Sequence, residues 1–148
     1  MFQGATELSL DAKGRLAIPT RHREALTPGG GGGVVLTAHP DRCLLLYPRD
    51  AFTPISAKVS TLSSFNEQAR WWQRLVVGFA EELELDGSGR ILVSPALRKF
   101  ADLKKTAVLV GQGSHFEVWD GELWEQKLAD ALSMAGTTPP PGTENFSL

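Results

Sequence analysis

Glu7-Leu8-Ser9-Leu10-Asp11-Ala12-Lys13-Gly14-Arg15-Leu16-Ala17-Ile18 recurs 75 residues later as Glu82-Leu83-Glu84-Leu85-Asp86-Gly87-Ser88-Gly89-Arg90-Ile91-Leu92-Val93. The Glu, both Leu, the Asp, the Gly and the Arg match in place, and Leu16/Ile91 and Ile18/Val93 match in kind. In each copy Asp-x-x-Gly-Arg separates two strand-like runs. That reads as a tight turn, with Gly14 or Gly89 at positive φ and the carboxylate of Asp11 or Asp86 accepting backbone N–H groups.

The segments C-terminal to the two copies repeat as well. Pro19-Thr20 leads into a short helical stretch, Arg21 to Leu26, stopped by Thr27-Pro28-Gly29. In the second copy Ser94 is a good N-cap with Pro95 at the first helical position, and the stretch continues to Leu103. Two apolar runs come next. They are Val34–Leu36 and Leu44–Tyr47 in the first copy, and Val108–Val110 and Phe116–Trp119 in the second. Each pair is divided by four polar residues, so each reads as a hairpin. A unit of roughly 45 residues is too small to bury a good core alone, so the two copies are expected to fold against each other as a pseudo-dimer.

The expected organisation is unit one over residues 5–52, a helical connector over 53–76, unit two with a C-terminal helix over 77–132, and a flexible tail over 133–148. In the connector, Thr53-Pro54 reads as N-cap plus first position, and Ser64 with Glu67 as a capping box. A helical stripe continues through Phe65, Ala69, Trp72 and Val76. One of Trp71 and Trp72 is expected in the core and the other at a subunit contact, with Arg70 and Arg74 beside them. Trp119 and Trp124 are assigned to the core. Asp120 reads as the N-cap of a last helix through Trp124, Leu128 and Leu132. The Gly29–Gly33 run reads as a connector. No Gly-Lys-Ser/Thr follows it and it leads into a strand, so the phosphate-cradle reading fails.

The 148 residues bound one ordinary domain or two very small ones. A net charge of −2 excludes a uniformly basic DNA binder but not a local basic patch. The charges are polarised: residues 11–24 carry four cations against two carboxylates, and residues 81–90 one cation against four carboxylates. Turn one is therefore the expected leader at any anionic partner. Arg98, Lys99, Lys104 and Lys105 read as a solvated helix face. No apolar run approaches the roughly 20 residues of a membrane span, the N-terminus lacks a signal-peptide pattern, and a lone Cys43 fits a reducing cytoplasm. His22, His39 and His115 have no metal-like spacing, and no Gly-x-Ser-x-Gly elbow occurs. The expectation is a non-enzyme with no metal, cofactor or small-molecule substrate.

Met1–Ala5, Leu10–Pro19, Leu44–Pro48, Leu85–Ile91 and Phe116–Trp119 together closely resemble the MraZ family, and the resemblance runs from Met1 to about Leu132. It implies a mainly β, α+β fold in which two AbrB/SpoVT-like units interleave as an intrachain pseudo-dimeric swapped-hairpin β-barrel with flanking helices. It further implies a cytoplasmic, nucleoid-associated transcriptional regulator, a repressor of its own division and cell-wall gene cluster. The implied partner is double-stranded DNA carrying direct-repeat boxes, and the implied assembly is a closed homo-oligomeric ring of about eight to twelve subunits. The DNA-contacting residues expected are Arg15, Lys13, Arg90, Arg21 and Arg23, with Asp11, Gly14, Asp86 and Gly89 shaping the turns. Arg90 has a second reading as a brace of the fold. The competing class is an oligomeric protein-interaction scaffold or antitoxin-like module. The five-glycine run departs from the usual filling of that connector, and the proline-rich tail carries no family motif.

Overall fold

The computed structural model describes residues 1–134 and 139–147. Eight strands form in the order the repeat dictates: β1 (Ala5–Ser9), β2 (Arg15–Ala17), β3 (Val34–Ala38), β4 (Leu44–Pro48), β5 (Glu81–Leu83), β6 (Arg90–Leu92), β7 (Thr106–Gly111) and β8 (Phe116–Asp120). The helices are α1 (Thr20–Leu26), α2 (Arg49–Ser60), α3 (Glu67–Trp72), α4 (Pro95–Phe100) and α5 (Gly121–Met134).

The two copies exchange strands. A six-stranded antiparallel sheet runs β1-β7-β8-β4-β3-β5, so β1 of the first copy lies on β7 of the second, and β5 of the second lies on β3 of the first. The remaining pair, β2 and β6, forms a separate two-stranded ribbon. This gives the expected mixed fold dominated by antiparallel sheet, with one correction. The strands do not close into a barrel among the described residues, because β1 and β5 remain edges of the large sheet. After the single bridge Leu10–Leu16 the chain has turned back on itself, and β2 spends its other edge on β6.

The period of two along each strand sends alternate residues to opposite faces. Val34, Leu36, Leu44, Leu46, Leu109, Phe116 and Val118 face a core closed by the ribbon's Leu16 and Ile91, with Ile18, Val93, Leu26 and Leu97. On the other face Val35, Leu45 and Tyr47 meet Phe52 and Val76, while Cys43, Val108, Val110 and Trp119 meet Leu123 and Trp124 of α5. Burial on both faces explains why Leu44-Leu45-Leu46 is uninterrupted rather than alternating. The Cys43 thiol is buried among these apolar groups, which pushes its pKa far up. Cys43 should therefore resist thiol reagents in the native protein and react on unfolding. Labelling by a maleimide at equal rates in buffer and in denaturant would contradict that burial.

Ser94 caps α4 by accepting from Leu97 N–H, and Asp120 accepts from Leu123 N–H at the start of α5. The connector departs from expectation. α2 begins at Arg49, and Pro54 lies inside it rather than at its start. The helix stops at Ser60, and α3 is capped by Asn66, whose side chain accepts from Ala69 N–H at 3.0 Å, not by a Ser64–Glu67 box. α3 continues as a π-helical turn, Gln73–Val77, whose Val76 carbonyl accepts from the buried Thr37 hydroxyl at 2.7 Å. Ser133 and Met134, expected in the tail, belong to α5. Of the expected flexible tail, residues 135–138 and 148 lie outside the described residues. Trp119 is buried with Trp124 against it, whereas Trp71 and Trp72 are 52% and 45% exposed, so neither enters the core.

Candidate nucleic-acid interface

The two Asp-x-x-Gly-Arg turns have the same internal wiring. Asp11 Oδ1 accepts from Lys13 N–H (3.0 Å) and Arg15 N–H (2.8 Å), and its Oδ2 accepts from Arg15 Nε at 2.7 Å. Asp86 accepts from Ser88 N–H, Arg90 N–H and Arg90 Nε, each at 2.9 Å. The carboxylate thus organises the turn and orients the arginine at its end. It engages Nε, and the Nη groups of Arg15 and of Arg90 have no hydrogen-bond partner among the described residues.

These bonds to backbone N–H and guanidinium favour the ionised carboxyl and hold Asp11 and Asp86 below the ordinary value of 3.8. A depressed folded pKa stabilises the turn fully above 3.8, and that stabilisation is lost as the pH falls through the lower folded value. Carboxyl chemical shifts in a titration should therefore place both midpoints below those of exposed aspartates. Ordinary midpoints would contradict the wiring.

The two turns are clasped across the repeat. Ile18 N–H donates to Gly89 C=O at 2.9 Å, and Val93 N–H donates to Gly14 C=O at 2.8 Å. Gly14 (φ +86°) is covered by the Arg98 guanidinium, and Gly89 (φ +74°) by that of Arg23. A Cβ at either position would collide with the arginine and suffer left-handed strain besides. Arg23 also donates Nε to Ile18 C=O at 2.8 Å.

The ribbon register sets what the clasp displays. Arg15 lies opposite Leu92, and Ala17 opposite Arg90. Leu16 and Ile91 are fully buried, so the other face carries Arg15, Ala17, Arg90 and Leu92 outward, with Leu92 53% exposed. Arg15 and Arg90 stand on a diagonal, a separation of roughly 7–8 Å or somewhat less between side chains. Lys13 is exposed at the tip of turn one. Arg21 is exposed and donates to Thr6 Oγ1 at 2.8 Å. Of the five expected contacts, the structure therefore brings Arg15, Arg90 and Lys13 to the ribbon and its turn, while Arg23 braces turn two with its Nε already used.

In the glycine run Gly29 N–H is taken by the Glu24 carboxylate at 3.1 Å. No cluster of three or more His, Cys, Asp or Glu residues able to hold a metal forms among the described residues, and no helix there is long and apolar enough to cross a membrane. The sequence did not reveal that Arg98, Lys99, Lys104 and Lys105 of unit two line a cleft with Asp11 and Ala12 of turn one. The repeat held one usable signal. Arg23 and Arg98 occupy equivalent positions, as do the glycines they cover.

Residues 1–75 and 77–140 match the family model described as "MraZ protein, putative antitoxin-like". Over all 148 residues, with both chains fully covered, the protein is 56% identical to a protein of Methylobacillus flagellatus named "Transcriptional regulator MraZ". Proteins with the same name from Nitrosomonas eutropha and Azoarcus sp. are each 51% identical over the same span. The class that these relatives define is the transcriptional regulator. The chain belongs to the MraZ family.

Proposed function

We propose that the protein is a sequence-specific DNA-binding regulator that reads repeated promoter boxes with the β2–β6 ribbon and turn one. The observation that carries this reading is the outward face of the ribbon. Two arginines stand on it, each held at Nε by its own aspartate with the Nη groups unpartnered among the described residues. The major groove admits a two-stranded ribbon, and the planar arginine fork suits guanine edges or phosphate. Lys13 supplies a phosphate contact, Ala17 and Leu92 offer apolar surface to thymine methyl groups, and Arg21 and Arg90 act at the flanks. Arg23 serves the platform by holding turn two.

In this reading the protein acts in the cytoplasm, at the nucleoid, as a repressor of the division and cell-wall cluster in which it is encoded. The ring is a consequence of the small size of each contact. One turn binds weakly, and several turns on consecutive boxes raise the effective concentration by enough to add roughly 10² to 10⁴ in avidity. The exposed Trp71–Trp72 face, with Pro40 and Leu75 beside it, seats a second copy in that assembly.

The test is a mobility shift on the protein's own upstream DNA across a salt series. Selective retention of repeated boxes is expected, with log affinity falling against log salt by about 0.9 per phosphate neutralised. Absence of a shift at low salt would favour the scaffold reading, with Trp71 and Trp72 as its partner surface.

A further inference from the structure

Strand exchange surrounds the two turns with very different charge. Turn one adjoins a cleft of roughly 620 Å³ whose other wall is α4 and the connector from α4 to β7: Arg98, Lys99, Asp102, Lys104 and Lys105. Leu10 N–H donates to Lys105 C=O at 2.8 Å, which fixes the connector against the approach to the turn. The cleft's two carboxylates are already matched. Asp11 pairs with Arg15, and Asp102 pairs with Lys104, which also holds the buried Asp120 at 3.2 Å. Lys99 and Lys105 are exposed and make no ion pair among the described residues. Arg98 lies over Gly14 with its Nε buried and without a hydrogen-bond partner, and it makes no ion pair among the described residues.

The surroundings of turn two share one cation, Arg23 over Gly89 in place of Arg98, but otherwise differ. The position equivalent to Lys99 holds Glu24, and the position equivalent to Ser9 holds Glu84. The corresponding connector, residues 27–33, is a threonine, a proline and five glycines with no charge at all. The chain has thus placed two exposed, unpaired lysines beside turn one, whereas turn two has Arg23 over Gly89 as the counterpart of Arg98 and no lysine equivalent to Lys99.

We propose that this cleft is a seat for the DNA backbone, in which Lys99 and Lys105 of unit two neutralise phosphates beside the groove that Arg15 of unit one reads. The seat rests on the DNA-binding reading above and makes it one-sided. Turn one, backed by cations from the other half of the chain, faces the duplex. The field of Arg98 beneath the turn adds to the attraction without reaching the phosphate itself. Phosphate contacts position a protein on DNA without carrying sequence information. The seat therefore sets affinity, and Arg15 sets preference.

The experiment uses the full-length protein with Lys99→Ala and Lys105→Ala combined, beside Arg15→Ala and the charge-keeping pair Lys99→Arg and Lys105→Arg. The alanine pair should lower the log–log salt slope by about 0.9 for each phosphate released, nearly two units per engaged subunit. It should weaken repeated-box and unrelated DNA by the same factor, on the order of tenfold or more near physiological salt. The arginine pair should retain the wild-type slope. Thermal midpoint and assembly size should match wild type in both. A wild-type slope and affinity in the alanine pair, with binding lost in Arg15→Ala, would overturn the seat and leave the DNA-binding reading standing. Failure of the wild-type protein itself to bind would overturn both.

Discussion

Arg15→Ala should abolish selective binding to the repeated boxes while leaving the fold and the assembly intact. Two magnitudes decide this. The Asp11–Arg15 pair is solvent-accessible, with 29% of the arginine side chain and 37% of the aspartate exposed, and such pairs contribute about 0–1 kcal/mol to stability. A bidentate arginine–guanine contact contributes about 1–3 kcal/mol of discrimination, roughly five- to 150-fold per contact. When several subunits engage consecutive boxes the losses multiply, so an overall drop of at least about 10²-fold is expected. Arg90→Ala removes the diagonal partner on the same ribbon, whose turn has no counterparts of Lys99 and Lys105 beside it, and should cost less. Fluorescence anisotropy on box and scrambled duplexes, with light scattering as the control for assembly, reads both. Equal losses at the two arginines would contradict the one-sided reading.

The second large effect is on stability. Gly89→Ala should destabilise the protein by about 2.5–5 kcal/mol. Left-handed backbone costs an alanine about 1–2 kcal/mol, and a displaced Arg23 gives up its charged hydrogen bond to Ile18 C=O, about 1.5–3 kcal/mol. At about 2–4 °C per kcal/mol for a chain of this size, the thermal midpoint should fall by roughly 10 °C. Arg23→Ala should remove much of the additional cost of Gly89→Ala, because the collision is then gone. The two substitutions should therefore be strongly non-additive in a double-mutant cycle. Strict additivity would mean that the arginine does not clasp the turn.

Strands and turns were legible from the sequence because their determinants are local. The alternation in Leu8-Ser9-Leu10, the Asp-x-x-Gly-Arg turn, the hairpin breaks at His39–Arg42 and Gln112–His115, and the caps at Ser94 and Asp120 all act within a few residues. The pairing of the two copies was implied by their size, but the partner of each strand was not. β1 reaches β7 across roughly a hundred residues, and nothing in Ala5–Ser9 encodes that register. Pro54 misled at α2, because a proline in the second turn of a helix resembles one at its start. The Trp71–Trp72 pair misled because an aromatic stripe normally marks a core, and here the stripe lies on the outside of α3.

The candidate site was half visible. Arg15 and Lys13 stand out by charge and by position on the turn. Lys99 and Lys105 read as an ordinary solvated face because they lie more than eighty residues from turn one, and only strand exchange brings them beside it. The net charge of −2 conceals the same arrangement. The acidic run Glu81–Asp86 leads into turn two, and the exposed, unpaired Lys99 and Lys105 lie beside turn one.

Short-armed crosslinking reads the contact between turn one and the DNA backbone. Ala12 and Gly87 are equivalent exposed tips of the two turns. They sit at opposite ends of a ribbon spanning about 14 Å at 3.4 Å per residue. The only native thiol, Cys43, is buried, so Ala12→Cys and Gly87→Cys can each be labelled selectively. With the full-length protein bound to its repeated boxes, a crosslink to the DNA backbone is expected from Ala12→Cys and little or none from Gly87→Cys. Equal crosslinking from both, or crosslinking from Gly87→Cys alone, would contradict it.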